Sequence, residues 1–238
     1  MSASERPASE RRGATRTAVV WDALRPVLEG SAVNVLDIGG GTGGFAVRVA
    51  ELGHRVTVVD PSPDALAALD RRARELGVLV TGVQGDVDGL ADLVEGADVV
   101  LCHGVLEVVD DPAAALATIR DVLRPGGTLS LLVAQRHAAV VARAMAGHFP
   151  QALALLEGDP PSGRSGHRFT VEEATRLLVD AGFEVTSVHG VRVFADLVPG
   201  SLLDLEPGAT AALVELERAV SERAEYLPLA TQVHLLAR

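Results

Sequence analysis

Apolar positions along this chain of 238 residues fall into two rhythms that take turns. Short runs, either alternating apolar and polar or wholly apolar, read as strands at 33–37, 54–60, 78–83, 98–102 and 128–133. Longer stretches with apolar residues three and four apart read as helices. The first is expected at 15–28, closed by Gly30. Ser62-Pro63 supplies an N-cap and a first-turn proline to the next clear one, and Gly77 stands where its C-cap belongs. Asp111-Pro112 opens another, which stops at Leu123 ahead of Arg124-Pro125-Gly126-Gly127. A single helix is expected over 137–156, and Thr170 with Glu173 forms a capping box for a helix ending at Gly182. Closing strands at 183–194 and 231–236 flank a helix at 209–224. This alternation predicts an α/β fold, a parallel sheet covered on both faces. The strand at 98–102 is apolar enough to be buried on both.

No internal repeat and no inter-domain linker is visible. Residues 15–238 therefore read as one domain behind a loose polar tail, 1–14, and the Gly/Pro/Ser-rich stretch at 157–168 reads as a lid loop.

Between the first strand and the helix after it stands Val35-Leu36-Asp37-Ile38-Gly39-Gly40-Gly41-Thr42-Gly43-Gly44. Glycines there let the backbone turn tightly and bring its N–H groups against a ligand. Two ligand classes use such a turn. A dinucleotide sets its pyrophosphate on the helix N-terminus, and positions 39, 41 and 44 do satisfy G-x-G-x-x-G. Alternatively, the amino-acid end of S-adenosylmethionine lies over the glycines. Asp37 favours the second, because a carboxylate there repels a pyrophosphate and suits an ammonium and a sulfonium. Asp60 closes the second strand, placed to accept hydrogen bonds from both hydroxyls of a ribose, which either cofactor offers. Gly85-Asp86-Val87 follows the third strand, where Asp86 or Val87 would meet an adenine amino group; an ordinary turn aspartate reads equally well.

Composition removes several classes. The formal net charge is −11 and all 21 basic residues are arginine, so nucleic acid is repelled at long range unless arginines gather locally. The single cysteine, Cys102, excludes an internal disulfide framework and fits a reducing cytoplasm. The seven histidines show no metal-ligand spacing, so no metal is expected. The polar start MSASERPASERR lacks the apolar run of a signal peptide. No uninterrupted apolar stretch reaches about 18 residues, so no membrane span is expected.

The motifs VLDIGGGTGG, VVD, GDV and LRPGG, spread from Val35 to Val133, resemble the class I S-adenosylmethionine-dependent methyltransferases. The resemblance implies a doubly wound, mostly parallel sheet of seven strands, the last antiparallel, in three α/β/α layers. It also implies S-adenosyl-L-methionine as cofactor. HGVLEVV from His103, MAGHF from Met145, GVRVF from Gly190 and the ending QVHLLAR are similar to a narrower group, the tRNA 5-carboxymethoxyuridine methyltransferases. Those enzymes methylate the carboxylate on a modified wobble uridine in the tRNA anticodon. By position, that likeness implies cofactor contacts at Arg16, Gly39, Gly40, Asp60 and His103. The chain departs from the group's proteobacterial members at 158–164, where they carry a lysine-rich loop, and at Ala134-Gln135, where they carry Tyr-Asn.

Methyl transfer from a sulfonium is an in-line displacement, and an ionised carboxylate acceptor needs no base; alignment and exclusion of water are the main demands. An acidic acceptor calls for a guanidinium, and Arg136, Arg168 and Arg192 are the candidates, each with a surface ion pair as the plain reading. His103, beside the expected methyl group, reads as a cofactor contact first and as a general base for a hydroxyl acceptor second. Most aromatics lie in the later half of the chain and read as core before they read as base-stacking platforms. Three activities stay open: methylation of the tRNA carboxymethoxyuridine, O-methylation of a small acidic or hydroxylated metabolite, and an NAD-dependent oxidation on the alternative glycine spacing.

Overall fold

The computed structural model describes residues 8–158, 166–203 and 207–238, with the side chains of 8–17 outside that description. Seven strands form one sheet: β1 (Asn34–Ile38), β2 (Arg55–Asp60), β3 (Val80–Gln84), β4 (Ala97–His103), β5 (Leu123–Ala134), β6 (Val185–Val191) and β7 (Gln232–Ala237). Their order across it is β3-β2-β1-β4-β5-β7-β6. β1 pairs in parallel with β2 and β4, β2 with β3, and β4 with β5. At the end of β7, Glu184 and Arg238 exchange both backbone hydrogen bonds, 2.8 and 2.9 Å, the mark of an antiparallel pair. In β4 the run Val99-Val100-Leu101-Cys102 is buried at every position. Successive side chains point to opposite faces, so both faces of the sheet centre are covered.

The helices begin where local chemistry marks them. Ser62 Oγ accepts the Ala65 N–H at 3.2 Å to cap α3 (Pro63–Leu76), and Gly77 ends it with φ 68°. Asp111 Oδ1 accepts the N–H groups of Ala113 and Ala114 to cap α5 (Pro112–Val122). The Thr170/Glu173 box closes in both directions, at 2.9 and 3.2 Å, over α8 (Val171–Asp180). At the opposite end of the strands Asp98 joins three of them. It accepts the Asn34 N–H at 2.8 Å and the Arg124 guanidinium at 3.0 and 3.1 Å. The Asn34 N–H above all, with Arg124, holds its carboxyl below the usual carboxylate range.

Several boundaries differ from the sequence reading. α1 runs Ala8–Leu28, so residues 8–14 continue the first helix where a loose tail was expected; residues 1–7 lie outside the described residues. The helix expected at 137–156 is two, α6 (Arg136–Met145) and α7 (Phe149–Leu156), parted by Gly147 at φ 76° and restarted by Pro150 in the first turn. β6 stops at Val191 rather than Phe194, because Arg192 turns the backbone to φ 58°. Two short helices, α4 (Leu90–Leu93) and α9 (Gly200–Leu203), were not anticipated, and α10 (Ala209–Val220) ends early. The central part of the expected lid, 159–165, lies outside the described residues.

By its internal contacts the chain forms two compact units. One comprises Val27–Val133, Ala174–Ser187 and Leu235–Arg238; the other comprises Met1–Pro26, Ala134–Glu173 and Val188–His234. Among the described residues no helix is long and apolar enough to cross a membrane.

Candidate active site

Strand order reverses between β1 and β4, and in open α/β sheets ligands bind at the carboxyl ends of the strands on either side of such a switch. A cavity of about 680 Å³ opens there. Its walls come from the ends of β1 (Ile38, Gly39), β2 (Asp60, Pro61) and β3 (Gly85, Asp86, Val87), and from the segment 104–111 after β4. The volume is in the range of small-molecule and cofactor sites.

The glycine loop is shaped by what lies against it. Gly39 and Gly41 have φ 64° and 55°, which side-chain-bearing residues rarely adopt. Gly40 is excluded from growth for a different reason: a Cβ there would meet Asp37 Oδ2 at 2.5 Å and Val58 Cγ1 at 2.9 Å. Gly44 is under no such constraint, since a Cβ would meet nothing within 4 Å and its φ is not positive. That matters for the ligand. The third glycine of the dinucleotide fingerprint exists to let helix and strand pack closely, and here that position has open space.

Asp60 is 7% exposed and uses both oxygens on the backbone. Oδ2 accepts the Gly41 N–H at 2.9 Å and Oδ1 the Ser62 N–H at 2.8 Å. The loop and the carboxylate thus fix each other, and Asp60 is at the same time a wall of the cavity. Asp37, buried, packs beneath Gly40 rather than forming a wall.

The cavity's charge decides between ligand classes. Among the described residues, Asp60, Asp86, Asp88, Asp110 and Asp111 contribute five carboxylates to its walls, with no arginine or histidine. Two like charges about 4 Å apart near a protein surface cost about 4 kcal/mol. A pyrophosphate is repelled by such a lining, whereas a sulfonium and an ammonium are drawn to it.

A family profile described as a methyltransferase domain matches residues 35–127. The tRNA 5-carboxymethoxyuridine methyltransferase of Escherichia coli (strain K12) is 31% identical over 243 residues, covering 95% of this chain and 89% of that protein. This chain belongs to the class I S-adenosylmethionine-dependent methyltransferases. Its cofactor is S-adenosyl-L-methionine, and the dinucleotide reading of the glycines is set aside. The ubiquinone biosynthesis O-methyltransferase of Xanthomonas axonopodis pv. citri (strain 306) is 32% identical over 167 residues, covering 69% of this chain and 68% of that one. Among solved structures, magnesium protoporphyrin IX methyltransferase from Synechocystis PCC 6803, with bound SAH, superposes with a TM-score of 0.61 at 17% identity, covering 95% of this chain and 82% of that one. An S-adenosylmethionine-dependent methyltransferase from Mesorhizobium loti gives 0.60 at 20%, with coverage of 94% and 99%. These two share the fold.

Of the residues singled out in the sequence, the methyltransferase brings Gly39, Asp60, Asp86 and Val87 onto one cavity, with Gly41 tied to Asp60 and Gly40 stacked on Asp37. His103 ends β4 but is not a wall of that cavity. Its Nε2 is 2.8 Å from Ser130 Oγ, and its ring meets Phe45 edge-on at 5.1 Å. Arg16 sits on α1, its side chain outside the described residues. Sequence reasoning missed 104–111, which adds Val105, Val108, Asp110 and Asp111. The adjacent Asp110-Asp111 pair was visible, though it read as a helix cap alone. Beneath the site Cys102 is fully buried. Burial pushes its thiol up, with the Glu107 and Asp37 carboxylates adding to the effect, so it is an inert small hydrophobe.

The three candidate acceptor arginines have distinct surroundings. Arg136 Nη1 pairs with Glu173 at 2.8 Å and its Nη2 donates to the Arg168 carbonyl at 3.1 Å, which ties it into the α8 cap. Arg192 pairs with Asp196 at 3.3 Å. Arg168 lines a second cavity within its own unit. Of the later aromatics, Phe169 and Phe183 are buried, and Phe194 and Tyr226 meet edge-on and pack against a small apolar cluster, so those four are core. Phe149 is exposed. Among the described residues no three His, Cys, Asp or Glu side chains are arranged to hold a metal ion.

Proposed function

We propose that this methyltransferase esterifies a carboxylate oxygen, and that its acceptor is 5-carboxymethoxyuridine in tRNA. The observation that carries this is the near end-to-end likeness to the Escherichia coli enzyme, 95% of one chain against 89% of the other. S-adenosylmethionine supplies a methyl group on a sulfonium. Asp60 holds the ribose hydroxyls on the lone pairs it does not spend on Gly41 and Ser62. Asp86 and the Val87 backbone meet the adenine, and the amino-acid end lies over the glycine turn, which Asp37 supports from beneath Gly40 while the Gly39 and Gly41 N–H groups are spent on Val59 O and Asp60 Oδ2. An ionised carboxylate attacks without losing a proton, so the new C–O bond forms as the C–S bond breaks and its electron pair stays on sulfur. His103, fixed by Ser130 and Phe45 at the end of β4, stands outside the cavity's walls and takes no proton in this reading.

The net charge of −11 favours a second reading, a small acidic or hydroxylated metabolite as acceptor, because the body of the protein repels RNA. Nucleoside mass spectrometry of tRNA from a deletion strain separates the two. Accumulation of unesterified 5-carboxymethoxyuridine is the expected result. An unchanged ester content, with turnover of a free metabolite by the purified protein, overturns the tRNA reading.

A further inference from the structure

Helix α7 carries a surface that the rest of its unit leaves uncovered. Its sequence, FPQALALL, holds no charged side chain; the helix packs against α6, and of its residues Ala152 and Leu155 are the buried ones. Phe149, Leu153 and Leu156 follow one another at four and three residues, so they share one face, and they are 67%, 55% and 61% exposed. Met145, the last residue of α6, is 71% exposed just before the turn into α7. Single exposed apolar residues are ordinary, but four large ones within 145–156 form a patch, and such patches mark contacts with another molecule.

The ends of α7 carry charge in the reverse of the helpful order. Aligned peptide dipoles make the amino end of a helix positive and its carboxyl end negative, so acidic groups stabilise the first turn and basic groups the last. α7 has neither. Its N-cap residue is His148, whose side chain makes no capping hydrogen bond, and its C-cap residue is Glu157, a carboxylate at the negative end. His148 and Glu157 form no ion pair with any other described residue. RNA suits this face poorly, because phosphates call for cations and α7 has none along it.

We infer that this face of α7 joins two copies of the chain, their α7 helices running antiparallel across a two-fold axis. An apolar stripe is its own complement, which such an isologous interface requires. Phe149 of one copy faces Leu156 of the other, and Leu153 lies nearest the axis. Each Glu157 reaches the uncapped amino end of the opposite α7, with His148 beside it. The same charges that oppose an isolated α7 thus support the pair. One eight-residue helix with Met145 is a small contact, at the lower end of specific interfaces, so association in the micromolar range is expected.

Sedimentation equilibrium of the full chain, from about 1 to 100 µM, measures this association. The average mass is expected to rise with concentration toward that of two chains. L153E sets two carboxylates near the axis from an exposed position and is expected to weaken the dimer at least about tenfold. E157R and H148D test the ends. Each gives α7 the charge that favours its own helix, yet each opposes the contact across the axis. Either one is expected to weaken association about three- to thirtyfold, two symmetry-related contacts being lost at once, with the urea midpoint of the dilute chain held or raised. The double variant H148D/E157R is expected to recover association. Binding of S-adenosylhomocysteine confirms that each variant is folded. A single-chain mass for the wild type at every concentration overturns the inference, as does a dimer that L153E leaves intact. Failure of the double variant to recover overturns the antiparallel pairing. A wild type of single-chain mass in which L153E instead weakens binding of tRNA, or of phosphatidylglycerol vesicles, gives the face to RNA or to a membrane and overturns the dimer.

Discussion

Asp60 Oδ2 accepts the backbone N–H of Gly41 at 2.9 Å, so the carboxylate at the end of β2 and the glycine turn after β1 form one rigid piece. D60N keeps the shape but loses the charge and, because its amide nitrogen cannot accept, one of the two backbone bonds to Gly41 and Ser62. It is expected to weaken S-adenosylhomocysteine by about tenfold or more, the value of a charged hydrogen bond. D60A also releases Gly41 and Ser62, and its unfolding free energy is expected to drop by about 1–3 kcal/mol. Calorimetric titration and urea unfolding read the two effects separately. Equal loss in both measurements for D60N contradicts a direct cofactor contact.

The glycines of the loop are expected to differ in kind. G40A drives a methyl group to 2.5 Å from Asp37 Oδ2, which costs about 1–3 kcal/mol of overpacking and displaces the glycine turn on which the cofactor lies, so S-adenosylhomocysteine affinity is expected to fall with stability. G44A has open space and an ordinary backbone, and its cofactor affinity and stability are expected to match the wild type. A dinucleotide-type loop predicts the opposite for G44A, which makes that variant informative.

H103Q is expected to retain methyl transfer within about tenfold, because an ionised carboxylate needs no base and a general base contributes about a hundredfold or more. The rate is followed from pH 5 to 9. A loss beyond a hundredfold, together with disappearance of a histidine limb in the profile, would reassign His103 as the base for a hydroxyl acceptor.

His189 and His234 stack at 5.4 Å, both buried, with the exposed Glu222 carboxylate 3.4 Å from His189. Burial lowers the His189 pKa from its ordinary 6.5, and Glu222 only partly offsets that. A folded-state pKa below the unfolded one means that unfolding takes up a proton, so stability is full above 6.5 and is lost as pH falls through that value toward the folded pKa. Urea midpoints measured from pH 7.5 to 5 are expected to fall, and H189F is expected to flatten that slope. An identical slope in H189F contradicts the assignment.

Much of the fold was legible because its signals are local. Ser62-Pro63, Asp111-Pro112 and the Thr170/Glu173 box each satisfy helix-end N–H groups within three residues, so sequence spacing was enough. The break between α6 and α7 was also written locally, in Gly147 and Pro150, but the apolar period runs on through both and hid it. Asp60 and the glycines could be placed because the strand–turn–helix context fixes them. The role of Glu217 could not. A glutamate inside an amphipathic helix reads as its solvent face, and only the tertiary approach of 193–195 turns Glu217 into a buried acceptor.

The central claim is that a cavity walled by five carboxylates beside a glycine turn selects a cationic nucleoside over an anionic one. Calorimetric titration of the purified chain with S-adenosylmethionine and, separately, with NAD measures that selection. Saturable binding of one S-adenosylmethionine per chain, weakened by added salt and by D60N, with no heat from NAD, is the result this account predicts. Saturable NAD binding, or indifference to S-adenosylmethionine, contradicts it.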